Sequence, residues 1–275
     1  MTGTVPAAVT LRRVETLDEL EACADLQEVV WGTSFSGRVP AAVMRVAEHV
    51  GGVTAGAFEP DGTLLGFVFG LTGPRQGRLV HWSHMLAVLP EVRDRGLGTR
   101  LKLLQRELVR QVGAEHMLWT FDPLVARNAH LNLNHLRTRV VEYVPNMYGD
   151  RTGSPLHAGI GTDRLIVRWD VAPGPVERDG DGSPGVPADD GASLPMVTPD
   201  AGDAAAAAAL ASAPALRIEV PIDLHRILVE APERAARWRA YTRAAFLSCL
   251  EQGHRVRGFH RDLVSGRAWY ILARG

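Results

Sequence analysis

Cysteine is nearly missing from this chain. Only Cys23 and Cys249 occur in 275 residues, in different segments and without a CxxC pair. A disulfide framework is thereby excluded, and two structural thiols in a reducing cytoplasm are the expectation. An excess of charge is missing too: 30 basic side chains face 31 acidic ones, a net charge of −1, with an isoelectric point near 6.8. A chain with no basic surplus is poorly equipped to neutralise a row of phosphates, which argues against nucleic-acid binding. No run approaches the roughly 18 consecutive apolar residues of a membrane span. Residues 1–10 lack the charged-then-apolar pattern of a signal peptide. What is present is a 46% hydrophobic content, enough for one good core and a second small one.

Composition breaks once. Residues 172–215 are dominated by Pro, Gly, Asp, Ser and Ala, with seven prolines and the alanine run 204–209. So few large apolar groups cannot offset the entropy of ordering, so the segment reads as a linker or long surface loop. It separates an N-terminal block, 1–171, from a C-terminal block, 216–275.

The first block alternates helix and strand signals. Thr16-Leu-Asp-Glu19 fits a capping box ahead of Leu17, Leu20, Ala24, Gln27 and Trp31 at helical spacing. Pro40 opens a second helix with the stripe Val43, Ala47 and Val50. Strands follow over Val53–Phe58 and Leu64–Leu71, joined by a turn at Glu59–Gly62, then over Leu79–Leu89. After Gly96 the period changes, and Leu97, Leu101, Leu104, Leu108 and Val112 form a helix stripe. His116–Phe121 is a strand, Asn128–Leu136 a short helix, and Val140–Tyr148 and Arg164–Asp170 final strands. The C-terminal block reads as a strand at Ala215–Val220, a helix from Pro232 carrying Ala235, Trp238, Thr242, Ala245 and Cys249, and a hairpin formed by Arg255–His260 and Arg267–Leu272. About 60 residues make a marginal unit alone, so this block is expected to pack on the first domain or on a second subunit, as a homodimer.

The chemistry-bearing stretch runs from Trp82 to Lys102. A strand enters the turn Arg93-x-x-Gly96-x-Gly98 and a long amphipathic helix leaves it. Two glycines remove side chains where a ligand must approach the backbone, and the free N–H groups of the first helical turn make an anion site suited to a diphosphate. Arg93 and Arg95 add positive charge. A dinucleotide fingerprint fails because Leu101 stands where its third glycine belongs, and a Walker loop fails because Thr99-Arg100 follows Gly98.

The segment Leu86-Ala-Val-Leu-Pro-Glu-Val-Arg-Asp-Arg-Gly-Leu-Gly98 resembles motif A of the GCN5-related N-acetyltransferases (GNAT), and the element order over about Thr10–Val171 is similar to that family's. Trp82-Ser-His-Met, Trp119-Thr-Phe-Asp-Pro-Leu, Arg127-Asn-Ala-His-Leu-Asn-Leu and Tyr143-Val-Pro-Asn-Met-Tyr-Gly resemble a bacterial subgroup with a C-terminal extension. Some of its members are associated with N-succinylation of amino acids. The resemblance implies an α/β (α+β) fold with a central mixed, mostly antiparallel sheet flanked by helices, plus a small C-terminal helix and hairpin unit. It implies that acetyl-CoA or another acyl-CoA is the co-substrate, its diphosphate held by backbone N–H groups of Arg93, Asp94, Arg95, Gly96, Leu97, Gly98 and Thr99. It also implies that Leu86, Ala87 and Val88 lie along the pantetheine arm, and that Asn128 stands near it. The family's tyrosine general acid falls on His135, and its strand glutamate on Trp82.

Transfer to an amine requires a base for the amine proton and an acid for the thiolate. Strand alternation places Trp82, His84, Leu86 and Val88 on one face. His84 is the candidate base, its competing role being a hydrogen-bonded structural histidine. Tyr148 is the candidate acid, its competing role a core or turn tyrosine, while Tyr143 is expected to pack. Asp122 either binds a substrate ammonium or caps a turn. His130 and His135, five apart, are poorly spaced for one metal ion, and no metal is expected. The acceptor is expected to be a small amine or amino acid. The alternative is a non-catalytic acyl-CoA-binding sensor or interaction module.

Overall fold

A computed structural model describes residues 9–149, 152–154, 159–171, 191–199 and 212–275. Compactness divides the chain differently from composition. One unit comprises residues 1–119, 151–155 and 169–173, and the other 120–150, 156–168 and 174–275.

In the first unit β1 (Thr10–Arg13), β2 (Val53–Phe58), β3 (Leu64–Arg75) and β4 (Arg78–Val88) pair antiparallel in sequence order, and β5 (His116–Phe121) pairs parallel with β4. The β3–β4 connection, unread in sequence, is a two-residue turn in which Gln76 and Gly77 both have positive φ, the backbone a tight hairpin requires. Helix α1 (Leu17–Trp31) starts with the expected capping box at Thr16 and Glu19. Helix α2 (Ala41–His49) begins after Pro40, yet its buried face is Ala41, Met44 and Ala47, not the expected Val43, Ala47 and Val50. Val43 and Val50 are exposed. The face lies one residue round because Met44 supplies the larger apolar body. The α1 and α2 faces close over Phe58, Leu64, Phe67, Phe69, Met85 and Ala87. Both cysteines are free and buried.

Helix α3 (Leu97–Val112) buries Leu97, Leu101, Leu108 and Val109 but also Lys102 and Gln105, two polar residues that an apolar stripe does not anticipate.

In the second unit α4 (Ala126–Ala129) runs into a π-helical turn at His130–His135, and β6 (Arg139–Val144) pairs antiparallel with β7 (Arg164–Asp170). β6 is shorter than expected: Tyr148 lies in the turn after the strand rather than at its end. A four-stranded sheet runs in the order β10-β11-β9-β8, from β8 (Met196–Val197), β9 (Ala215–Pro221), β10 (His254–Asp262) and β11 (Arg267–Arg274). β8 therefore comes from within the proline-rich segment. The rest of that segment, 172–190 and 200–211, lies outside the described residues. α5 (Leu224–Glu230) and the 20-residue α6 (Pro232–Glu251) complete the unit. α6 buries every residue of its expected stripe, and Arg239 and Phe246 besides. Among the described residues no helix is long and apolar enough to cross a membrane.

Gly70 shows how tightly β3 and β4 meet. A Cβ there would run into the His81 imidazole and stand 2.6 Å from the Trp82 carbonyl oxygen. Gly70→Ala should therefore lower stability by about 2–3 kcal/mol, read as a lower urea midpoint at unchanged slope; a midpoint within error of wild type contradicts the packing described.

Candidate functional site

β4 departs from regularity where the chemistry is expected. Its parallel pairing with β5 covers only Val80–Trp82 opposite His116–Leu118, so the β4 edge from Ser83 to Val88 has no partner in β5. On the other edge Gly70 pairs with Ser83 and Phe69 with Met85. His84 is thus the extra residue of a β-bulge, opposite none of its own.

The bulge overturns one reading of the sequence. Residues 83 and 86 should lie on opposite faces of a regular strand. Yet the Ser83 hydroxyl hydrogen-bonds to Gln105 of α3 at 2.7 Å, and Leu86 stands beside Gly98 at the start of the same helix. Met85 and Ala87 instead join the core under α1 and α2. Trp82, His84, Leu86 and Val88 therefore do not share a face, because one inserted residue reverses the alternation beyond it. His84 is exposed and meets the Phe69 ring edge-on, centroids 6.4 Å apart. The surrounding protein strips part of its hydration and lowers its pKa, so it is a neutral imidazole at pH 7.

After β4 a short 3-10 turn at Pro90–Val92 leads into residues 93–99. Asp94 and Gly96 both take left-handed backbone, φ 61° and 77°, a form that turns successive N–H groups inward. No side chain caps α3, and its first i to i−4 bond is Arg100 N–H to the Gly96 carbonyl at 3.1 Å. The N–H groups of Leu97, Gly98 and Thr99 precede the helical ladder, a partial positive charge at the helix start. The Arg93 side chain turns back, its Nε donating to the Val88 carbonyl at 3.1 Å, so it braces the turn against the strand end; Arg95 is half-buried.

Gly98 provides the test of fit for a ligand. It is an α3 residue without left-handed φ, and the nearest neighbour of a Cβ there among the described residues would be Leu86 Cδ2 at 3.8 Å. Neither backbone nor packing asks for glycine, which costs a helix about 1 kcal/mol relative to alanine. A group arriving from outside the chain explains it, and a diphosphate fits the uncapped turn.

Behind the bulge is a polar chain that sequence reading missed. Lys102 Nζ donates to Ser83 Oγ at 2.6 Å and stands 3.9 Å from the Trp119 ring centroid. Gln105 Nε2 lies 3.2 Å from His81 Nε2, and His81 Nδ1 lies 2.9 Å from Thr72 Oγ1, whose hydroxyl donates to the Gly51 carbonyl at 2.6 Å. Gln105 donates to His81 Nε2 and the Thr72 hydroxyl proton is spent on Gly51, so His81 is neutral with its proton on Nδ1, donating to Thr72 Oγ1. Burial and the nearby Lys102 hold its pKa near 3. Lys102 has no carboxylate partner among the described residues, and burial lowers its pKa to about 7. The only sequence signal was a lysine interrupting the apolar face of α3.

In the second unit Asn128 sits in α4, half-buried, its carbonyl accepting from Asn132 Nδ2 at 2.8 Å. The Tyr148 hydroxyl is 3.1 Å from Thr120 Oγ1, and the Arg164 guanidinium lies 5.3 Å from its ring centroid. Tyr143 packs on Phe246 at 5.2 Å and donates to Asp163 at 2.5 Å. Asp122 caps its turn by accepting from Leu124 N–H at 2.8 Å, and it pairs with Arg239 at 2.5 Å and Arg164 at 3.5 Å. Those partners engage both oxygens, and Asp122 is buried, so it serves as a turn cap and ion-pair partner. His135 is exposed and edge-on to His130 at 4.7 Å. Among the described residues no three His, Cys, Asp or Glu side chains are grouped to hold a metal ion.

The unfolded chain binds more protons than the folded one wherever a buried base has a lowered pKa. Between pH 7 and 10.5 Lys102 makes stability rise with pH, and His81 does the same from about 3 to 6.5. The urea midpoint should therefore increase from pH 7 to 9, and Lys102→Met should raise it at pH 7 and flatten that increase; an unchanged slope against pH would refute the buried cation.

Residues 21–131 match the Acetyltransferase (GNAT) family model. Solved structures similar to the chain include a protein assigned to the GNAT acetyltransferases of Desulfovibrio desulfuricans, with 21% identity over 60% of this chain and 100% of that one at a TM-score of 0.46. A GNAT-family acetyltransferase of Streptococcus pneumoniae has 16% identity over 60% and 100% at 0.47, and an N-acetyltransferase of Staphylococcus aureus Mu50 has 12% over 60% and 100% at 0.48. No curated protein matches the chain. The strand, turn and helix of residues 82–112 lie inside the region that matches the GNAT family model.

Proposed function

We propose that the protein is an acyl-CoA-dependent N-acyltransferase that moves an acetyl or succinyl group to the primary amine of a small molecule or amino acid by direct transfer in a ternary complex. The observation that carries the reading is Gly98: a glycine without internal cause, in an uncapped helical turn beside the unpaired edge of β4. The N–H groups of residues 93–99 hold the diphosphate, and the edge at Leu86, Ala87 and Val88 pairs with the amides of the pantetheine arm as an added strand would. Asn128 contributes near that arm. The thioester supplies an activated acyl carbon. The amine nitrogen forms a bond to that carbon as the carbon–sulfur bond breaks; His84 takes the amine proton and the Tyr148 hydroxyl gives one to the departing sulfur.

The protein mixed with acetyl- or succinyl-CoA and a panel of amines should release free thiol; no release with any pair rejects the reading. Gly98→Ala should weaken coenzyme binding about tenfold or more while raising thermal stability slightly, a combination that a purely structural glycine cannot produce. Because the His84 pKa lies below its ordinary 6.5, kcat/KM should stay level through pH 7 and fall only on the acid side of 6.5. His84→Ala should lower kcat about a hundredfold and abolish that acid limb. Coenzyme binding with rates indifferent to both His84→Ala and Tyr148→Phe would instead mark a sensor module, the reading favoured by Trp82 and His135 standing where the family's glutamate and tyrosine fall.

A further inference from the structure

Helix α3 runs back along β4, and three of its residues at helical spacing meet the strand in turn. Gly98 lies beside Leu86, Lys102 Nζ donates to Ser83 Oγ at 2.6 Å, and Gln105 reaches both Ser83 and His81. Lys102 is only 2% exposed, and its ammonium also faces the Trp119 ring, 3.9 Å from the centroid. Trp82 and Leu118 are the last paired residues of β4 and β5. Ser83 and Trp119 are the next residue on each strand, so one ammonium holds both strands at the first position where their ladder has stopped.

Two anchors on opposite faces of the sheet force the bulge. Residues 83 and 85 of a regular strand share a face. Here Ser83 is tied to Lys102 and Gln105 on the α3 side, while Met85 is buried in the core under α1 and α2. Both anchors can be satisfied only if one residue is inserted between them, and that residue is His84. Burial of Met85 and Ala87 supplies the apolar anchor, and α3 supplies the polar one. Stability does not account for the lysine. A methionine of similar length would fill the same space without a buried charge, and Lys102 has no carboxylate partner among the described residues. What a methionine lacks is direction: a thioether donates no hydrogen bond, so it would fix neither Ser83 nor the spacing of the two strands.

We propose that Lys102 is a positioning residue for the coenzyme, holding β4 and β5 at Ser83 and Trp119 so that the β4 edge beyond them stays open to the pantetheine arm. It touches no substrate and acts through the strand, whose edge it prepares before the coenzyme arrives. The assignment rests on the acyltransferase reading above, and it gives the buried ammonium a purpose: the protein gives up stability at Lys102 and gains affinity for the arm.

The test uses the whole protein and reads binding in two parts. Coenzyme A engages the diphosphate turn and the β4 edge, whereas 3′-phospho-ADP, the same nucleotide without pantetheine, engages the turn alone. Lys102→Met should weaken coenzyme A binding about tenfold and leave the affinity for 3′-phospho-ADP at its wild-type value, while the urea midpoint at pH 7 rises. In turnover, KM for acetyl-CoA should rise by the same factor with KM for the amine unchanged. Ser83→Ala should reproduce the selective loss. The double variant should lose no more than Lys102→Met alone, because both changes remove one hydrogen bond. Equal coenzyme A affinity in the wild type and Lys102→Met, an equal loss for coenzyme A and 3′-phospho-ADP, or additive losses in the double variant would overturn the positioning role while leaving the acyltransferase reading intact. A wild-type protein that binds neither nucleotide would overturn that reading and this role with it.

Discussion

β4 parts from β5 after Trp82, and the candidate site of the first unit depends on that separation. A strand paired on both edges presents no backbone to a ligand. Here the parallel ladder stops after three residue pairs, and the strand spends one residue, His84, on a bulge directly beyond. The bulge leaves that histidine exposed and turns Leu86 toward the uncapped start of α3. Free strand edge, bulge and uncapped helix follow one another within sixteen residues of chain, which is why the local sequence is so informative there.

The cost of holding α3 against that irregular strand is visible behind it. An apolar interface tolerates sliding, whereas a chain of directed hydrogen bonds from Lys102 through Ser83, Gln105, His81 and Thr72 to the Gly51 carbonyl fixes one register. It does so at the expense of burying an ammonium group that has no counter-charge among the described residues, relieved in part by the face of Trp119. Gly70 belongs to the same arrangement, since the His81 ring fills the space its side chain would take.

The second unit solves a similar problem with arginine. Asp122 and Asp163 are each held by guanidinium groups reaching from β7 or α6, so Asp122, a candidate ammonium binder in sequence, is engaged structurally.

Much of the fold could be read in advance because local rules act over a few residues: the capping box at Thr16, the strands Val53–Phe58, His116–Phe121 and Arg164–Asp170, and the change of period after Gly96 each depend on neighbours in the chain. The Gly96-x-Gly98 turn was legible for the same reason, because a strand-to-helix turn with left-handed backbone at Gly96 places its demand on consecutive residues. The bulge was not legible, since an inserted residue leaves the pattern of buried and open positions along β4 intact while exchanging the faces they occupy. Nor could the partners of Lys102, Asp122 and Arg239 be foreseen. Their hydrogen bonds join residues as far as 117 positions apart, and only packing decides whether a charged side chain in an apolar stripe reaches solvent or is enclosed with a partner.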